Sequence, residues 1–159
     1  MRKIKFRAKR SDHDEWVYGS YYHFIIEGFE EIPQYRILLE NHCNGKGFRV
    51  DIDKNTVGQF TGLYDNDGKE IYEGDILVFG SFGDDAFDDC LFEVANNNPA
   101  YEVKWFDGRY IIRSKFDEAD ELCDNLCGVG PGSVGVTADC VRKHFLVIGN
   151  IYDNHDLIK

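Results

Sequence analysis

Two Asp-Gly pairs constrain this chain more than any other feature. Asp67-Gly68 separates residues 56–64 from residues 69–72, and Asp107-Gly108 separates residues 101–106 from residues 109–113. Glycine enters positive φ without steric cost, and Asp tolerates the neighbouring turn angles, so each pair folds the chain back as a tight hairpin. The flanking runs are rich in β-branched and aromatic residues, the pattern of paired strands. The chain also opens on strict alternation. Ile4, Phe6 and Ala8 fall on one face of a strand, and Lys3, Lys5, Arg7 and Lys9 on the other. Further strands are read over residues 16–22, 35–39, 76–79 and 145–152, with residues 27–33 as a connecting loop and 41–47 as a turn. Glu73-Gly74-Asp75 is a turn feeding the apolar run Ile76-Leu77-Val78-Phe79.

Helical signals are fewer. Ser114 can cap a helix over residues 115–127, in which Phe116, Ala119, Leu122, Cys123 and Leu126 recur at helical spacing and after which Gly128 can stop it. A second short turn or helix is read from Thr137. The fold class is therefore mainly β with one short helix near 115–127. Residues 81–100 stand apart as an acidic insertion carrying Asp84, Asp85, Asp88 and Asp89.

Composition narrows the function classes. The 159 residues are 43% hydrophobic and 14% aromatic, which excludes wholesale disorder. No apolar run approaches the ~18 residues of a membrane span, and the N-terminus carries no signal-like apolar stretch, so the expected compartment is the cytoplasm and no membrane partner is expected. Five cysteines, an odd number, are read there as free thiols. With 29 acidic against 18 basic residues the net charge is -11, which should repel a polyanion. The basic stripe of the first strand is accordingly read as a solvated outer face or one set against the protein's own acids, and nucleic acid as an unlikely partner.

The chain holds few candidates for chemistry. Asp65, Asp67 and Gly68 resemble part of a calcium loop, but with Gly68 at its sixth position the first and twelfth positions fall on Leu63 and Gly74, which supply no carboxylate. The glycine-rich run 128–135 lacks the lysine of a phosphate loop. Adjacent His42 and Cys43 would point to opposite faces of a strand, and the aspartates of the insertion read as a solvated loop. Cys123, Cys127, Cys140 and His144 have donor types suited to zinc, but their spacing departs from the usual knuckle and Cys123 lies on the apolar stripe, so packing is favoured. No catalytic, cofactor-binding or metal residue is assigned, and no cofactor is expected.

Several blocks together carry a resemblance. They are Ile4-Lys5-Phe6-Arg7-Ala8, Trp16-Val17-Tyr18-Gly19, the long stretch 56–77 reading TVGQFTGLYDNDGKEIYEGDIL, Val103-Lys104-Trp105, and Val147-Ile148-Gly149-Asn150-Ile151-Tyr152-Asp153-Asn154. In order and wording the chain resembles the YopX family of phage and prophage proteins. The resemblance implies a β-rich N-terminal part over residues 1–55 and an SH3-like barrel over 56–159, often self-associating, and it brings no catalytic residues. Gly58, Gly62, Gly68 and Gly74 are expected to serve backbone freedom, and Trp16, Phe60 and Trp105 packing. The functional expectation is a non-enzymatic, self-associating phage accessory protein acting on an unidentified host or phage protein. The alternatives are a nucleic-acid-binding or DNA-mimicking protein, or an enzyme with an unrecognised cleft.

Overall fold

The computed structural model describes residues 3–25, 34–39, 48–80, 100–106, 109–114, 124–125 and 138–158. The chain divides into two compact units, Met1–Phe60 and Thr61–Lys159. The fold is mainly β, built from two antiparallel sheets.

In the first unit, β1 (Phe6–Lys9), β2 (Trp16–Phe24), β3 (Gln34–Leu39) and β4 (Arg49–Asp51) lie in the order β4-β3-β2-β1, and the start of β5 (Gly58–Tyr64) pairs with the other side of β1. Alternation sorts these strands cleanly. Ala8, Val17, Ile37, Val50 and Ile52 are buried in one cluster, with Phe6, Tyr21, Tyr35, Leu39 and Val57 packed against it. The free side of β4 is not left open. Ser11 N–H donates to the Asp51 carbonyl at 3.1 Å, Arg10 and Ile52 form an antiparallel bridge, and Asp53 N–H donates to the Lys9 carbonyl at 2.9 Å. Such contacts satisfy backbone groups that would otherwise template pairing with another chain.

In the second unit, the end of β5 and β6 (Glu70–Tyr72) flank the Asp65–Gly68 turn, and β7 (Asp75–Phe79), β8 (Tyr101–Phe106), β9 (Arg109–Ser114), β10 (Asp124–Asn125) and β11 (Phe145–Asn150) make a sheet of order β10-β9-β8-β7-β11. The core holds Ile71, Leu77, Phe79, Tyr101, Val103, Tyr110, Ile112, Val141 and Phe145. Val141 comes from α1 (Ala138–His144), which begins one residue after the Thr137 expected from the sequence.

The expected helix over 115–127 is not what this segment forms where it is described. Asp124 and Asn125 pair antiparallel with Ile112 and Ile111, extending the sheet beyond β9. Ser114 is the last residue of β9. The physical reason is that the edge of β9 offers ladder hydrogen bonds that a weak local helical preference does not match. Residues 115–123 and 126–127 lie outside the described residues, as does all of the acidic insertion except Ala100. Among the described residues the strands do not close into a barrel. The outer edge of β11 is met by a turn instead of a strand.

That turn is the decisive local structure. Asp65 is only 3% exposed, yet its carboxylate is fully employed. Its Oδ1 accepts from the amides of Asp67 (3.0 Å) and Lys69 (2.8 Å), and its Oδ2 accepts from the amide of Val147 in β11 (2.9 Å). Asn66 N–H donates to the Phe145 carbonyl at 2.9 Å. One side chain thus shapes its own turn and holds the free edge of β11. Asp75 repeats the device on a smaller scale, its buried carboxylate accepting from Tyr72 N–H at 2.7 Å. Between them Gly74, at φ 81°, donates to the Val103 carbonyl and accepts from Ile151 N–H. A Cβ there would meet the Tyr152 ring at 3.2 Å. Gly62 and Gly68 also take positive φ, as expected, but Gly58 does not. It sits in β5 directly opposite Arg7. Phe60 is buried, whereas Trp105 is 48% exposed and packs edge-on against Tyr110 at 4.7 Å, so its core role is not realised.

Removing a carboxylate that satisfies three amides leaves three part-buried donors without their acceptor. Asp65→Ala is expected to lower the unfolding free energy by about 3 kcal/mol or more. Gly74→Ala, which combines a strained φ with a tight neighbour, should cost about 1–2 kcal/mol. Asp67→Ala, at an exposed position, should stay within about 0.5 kcal/mol. Urea unfolding of the three variants measures this, and an Asp65→Ala midpoint equal to that of Asp67→Ala would refute the role given to Asp65.

Candidate functional site

The side of the first sheet turned away from its apolar cluster is where charge and aromatic rings converge. The register places Arg7 opposite Tyr18 and Lys9 opposite Trp16. On the next strand pair Tyr22 faces Arg36 and Phe24 faces Gln34. Arg36 in turn faces Asp51, and Leu38 faces Arg49. Directly opposed residues share a face, so Lys5, Arg7, Lys9, Arg36 and Arg49 interleave with Trp16, Tyr18, Tyr22 and Phe24 on one surface. Among the described ladder residues Asp51 is the one acid on it.

The rings and cations are in direct contact. Arg7 lies over the Trp16 ring at 4.8 Å, Lys9 over the same ring at 5.7 Å, Lys5 over Tyr18 at 5.4 Å, and Arg36 over Phe24 at 5.0 Å. Phe24 also stacks on Tyr22, with centroids 6.0 Å apart. Each contact draws on the negative face of the ring and orients the cation without neutralising it. Carboxylates reach some of these cations. Lys9 Nζ pairs with Asp14 at 2.5 Å and Arg36 Nε donates to Asp51 at 2.5 Å. The Asp51 hydrogen bond raises the Arg36 pKa above its ordinary value. Beside the sheet, the hydrogen bond from Arg10 holds the Asp12 carboxyl well below the usual range. Asp12 and Asp14 are well exposed, so these pairs add little to stability.

Two classes of cation emerge. Arg7 is only 6% exposed and its guanidinium is clamped on Trp16, which makes it part of the sheet's construction. Arg49 is exposed and makes no ion pair among the described residues. Tyr18 is 42% exposed beside the Lys5 ammonium. Tyr18 and Arg49 are thus exposed members of this face, whereas Arg7 is built into it.

Net charge conceals this arrangement. Residues 1–60 carry ten basic and nine acidic side chains, and residues 61–159 carry eight and twenty. The whole chain's acidity belongs to its second unit. Sequence reasoning found the basic stripe of the first strand but missed Tyr18, Arg36 and Arg49 as its companions. The available signal was the shared parity of Trp16, Tyr18, Ser20 and Tyr22. Which parity joins the lysines is settled only by register.

The other candidates fare differently. Both Asp65 carboxylate oxygens are used by amides, a structural employment that leaves the turn no resemblance to a calcium cage. His42, Cys43, Asp84, Asp85, Asp88, Asp89, Cys123 and Cys127 lie outside the described residues. Cys140 and His144 belong to α1, and the His144 ring is buried and stacked on Phe79 at 5.7 Å. Among the described residues no three His, Cys, Asp or Glu side chains are grouped to hold a metal ion. No helix among them is long and apolar enough to cross a membrane.

Comparison with known proteins bears on the fold. The model of the YopX protein family matches residues 5–159. The chain belongs to the YopX family. A solved relative in fold is the crystal structure of protein EF1440 from Enterococcus faecalis, 23% identical, covering all of both chains at a TM-score of 0.51. No curated protein matches the chain significantly. The YopX blocks coincide with the turn network: the stretch 56–77 supplies Asp65, Gly74 and Asp75, and the tail supplies Val147, Asn150 and Ile151. Asn150 Oδ1 accepts from the amides of Tyr152 and Asp153, and its Nδ2 donates to Asp153 at 2.8 Å. The stretch 56–77 and the tail 147–154 thus supply turn and edge contacts of the second unit.

The division between structural and presented residues is testable. Arg7→Ala is expected to lower stability by about 2 kcal/mol, through lost packing of the stem and the lost Trp16 contact. Tyr18→Ala and Arg49→Ala should each change it by no more than about 0.5 kcal/mol. Urea unfolding followed by tryptophan fluorescence distinguishes them, and equal losses for Arg7→Ala and Arg49→Ala would contradict the division.

Proposed function

We propose that this YopX-family chain is a non-enzymatic binding module that presents the outer face of its first sheet to a polyanionic partner. The observation that carries the reading is a face on which Tyr18 and Arg49 are exposed, beside Lys5 and among cations held on the rings of Trp16 and Phe24. A sheet face of this kind binds by charge and ring contact and contains no paired nucleophile and base. The reading accords with a phage or prophage accessory protein, expected in the cytoplasm, that works by holding another molecule. Self-association, expected from the resemblance, finds less support in sheet edges than in side-chain faces. Asp65 and Asn66 occupy the edge of β11, and Ser11 and Arg10 that of β4.

Retention on immobilised heparin tests the reading, because a chain of net charge -11 has no general reason to bind a polyanion. The chain is expected to be retained at about 50 mM salt and released well below 1 M, as screening shortens the reach of its charges. The double variant Lys5→Glu, Arg49→Glu should flow through. Flow-through of the unaltered chain, or equal retention of the variant, would sink the proposal.

A further inference from the structure

We infer that Asp67-Gly68 is a latent site of isoaspartate formation, and that Asp65 holds it closed by receiving three consecutive amides, those of residues 67, 68 and 69.

The reaction needs nothing beyond the chain and water. The Gly68 nitrogen attacks Cγ of the protonated Asp67 carboxyl. The amide proton and the carboxyl hydroxyl leave together as water, and a five-membered succinimide closes. Water then adds back and opens the ring on either side of its nitrogen. Breaking the new bond to Cγ restores Asp67, whereas breaking the original peptide bond leaves the chain running through Cγ as isoaspartate. Glycine is the residue that least hinders the attack, because it has no side chain to crowd the ring and admits the widest range of backbone angles.

Packing does not restrain this pair. Asp67 and Gly68 are both exposed, and a Cβ placed on Gly68 would meet nothing within 4 Å. The restraint is hydrogen bonding to one residue. Asp67 N–H donates to Asp65 Oδ1 at 3.0 Å, Gly68 N–H to the Asp65 carbonyl at 3.0 Å, and Lys69 N–H to Asp65 Oδ1 at 2.8 Å. The nucleophile's own proton is therefore engaged. A rotation within Asp67 that swung the Gly68 nitrogen onto Cγ would also pull on the amides to either side of it. The turn is anchored beyond itself as well. Asp65 Oδ2 accepts from Val147 N–H at 2.9 Å, and Asn66 N–H donates to the Phe145 carbonyl at 2.9 Å, so opening it releases the edge of β11.

The product would make that opening permanent. Isoaspartate adds a methylene to the backbone, and the amides of residues 68 and 69 lose the spacing at which Asp65 receives them. The pair thus records each opening of the turn that lasts long enough to react.

Ageing of the full chain in mildly acidic buffer tests this, with isoaspartate at residue 67 read by digestion and electron-transfer fragmentation. The readout must resolve the position, because Asp107-Gly108 and Asn44-Gly45 can yield the same product. Isoaspartate at 67 is expected to form at least about tenfold more slowly in the folded chain than in the same chain unfolded in guanidinium chloride, since only the open fraction reacts. Asp65→Asn, which replaces one acceptor oxygen by a donor, should speed the folded-state reaction by at least about threefold. Equal rates in the folded and unfolded chain, or an Asp65→Asn chain no faster than the unaltered one, would overturn the inference. The first comparison is made on the unaltered chain and stands even if the variant does not fold. A brief protease pulse near the urea midpoint should remove chains bearing isoaspartate at 67 in preference to the rest. Equal survival of the two forms would overturn the claim that the product undoes the turn.

Discussion

The second unit depends on one carboxylate. Asp65 accepts two amides within its own turn and a third from Val147 across the sheet. An ionised carboxylate is acceptor-only, and hydrogen bonds to it are stronger than neutral ones. That chemistry lets a single buried side chain do what a further strand would otherwise do for the edge of β11. The β5–β6 hairpin, the feed into β7 through Gly74, and the closing tail all converge on this region. Gly74 and Ile151 are joined by a backbone hydrogen bond, and Asn150 ties the chain after it.

The first unit is organised by a different interaction. Its sheet has an apolar side, where Ala8, Val17, Ile37, Val50 and Ile52 meet, and a side where cations lie on rings. Burying Arg7 against Trp16 satisfies the long side chain's apolar stem while its charge stays beside a π-face. The arrangement concentrates positive charge on one surface of a strongly acidic chain. The net charge of the chain therefore does not describe the local charge of this surface.

The family blocks were legible because they are made of turn chemistry. Asp-Gly and Gly-Asp pairs mark changes of chain direction that few other residues achieve, and the structure uses Gly68 and Gly74 at positive φ as those pairs require. The residues 115–127 were misread at Asp124 and Asn125 for the opposite reason. Helical spacing of Phe116, Ala119 and Leu122 is a local signal, whereas pairing with Ile111 and Ile112 is a long-range one that no window of sequence contains. Trp105 was misjudged because size predicts burial only on average, and its ring lies half outside the sheet against Tyr110.

By itself the sequence determined that this protein is built of short antiparallel strands joined by tight turns. Alternation and glycine chemistry act over a few residues, and those interactions are written in the chain order. It also showed that Lys5, Arg7 and Lys9 share one face, and that Trp16, Tyr18 and Tyr22 share another of the same parity. Only the tertiary structure decided that these two faces are one surface, with Arg36 and Arg49 added to it. A strand's two sides alternate with period two, so a slip of one residue exchanges them completely. The pairing of Arg7 with Tyr18 is fixed by burying Ala8 and Val17 together on the other side, and that is a choice made by packing between strands.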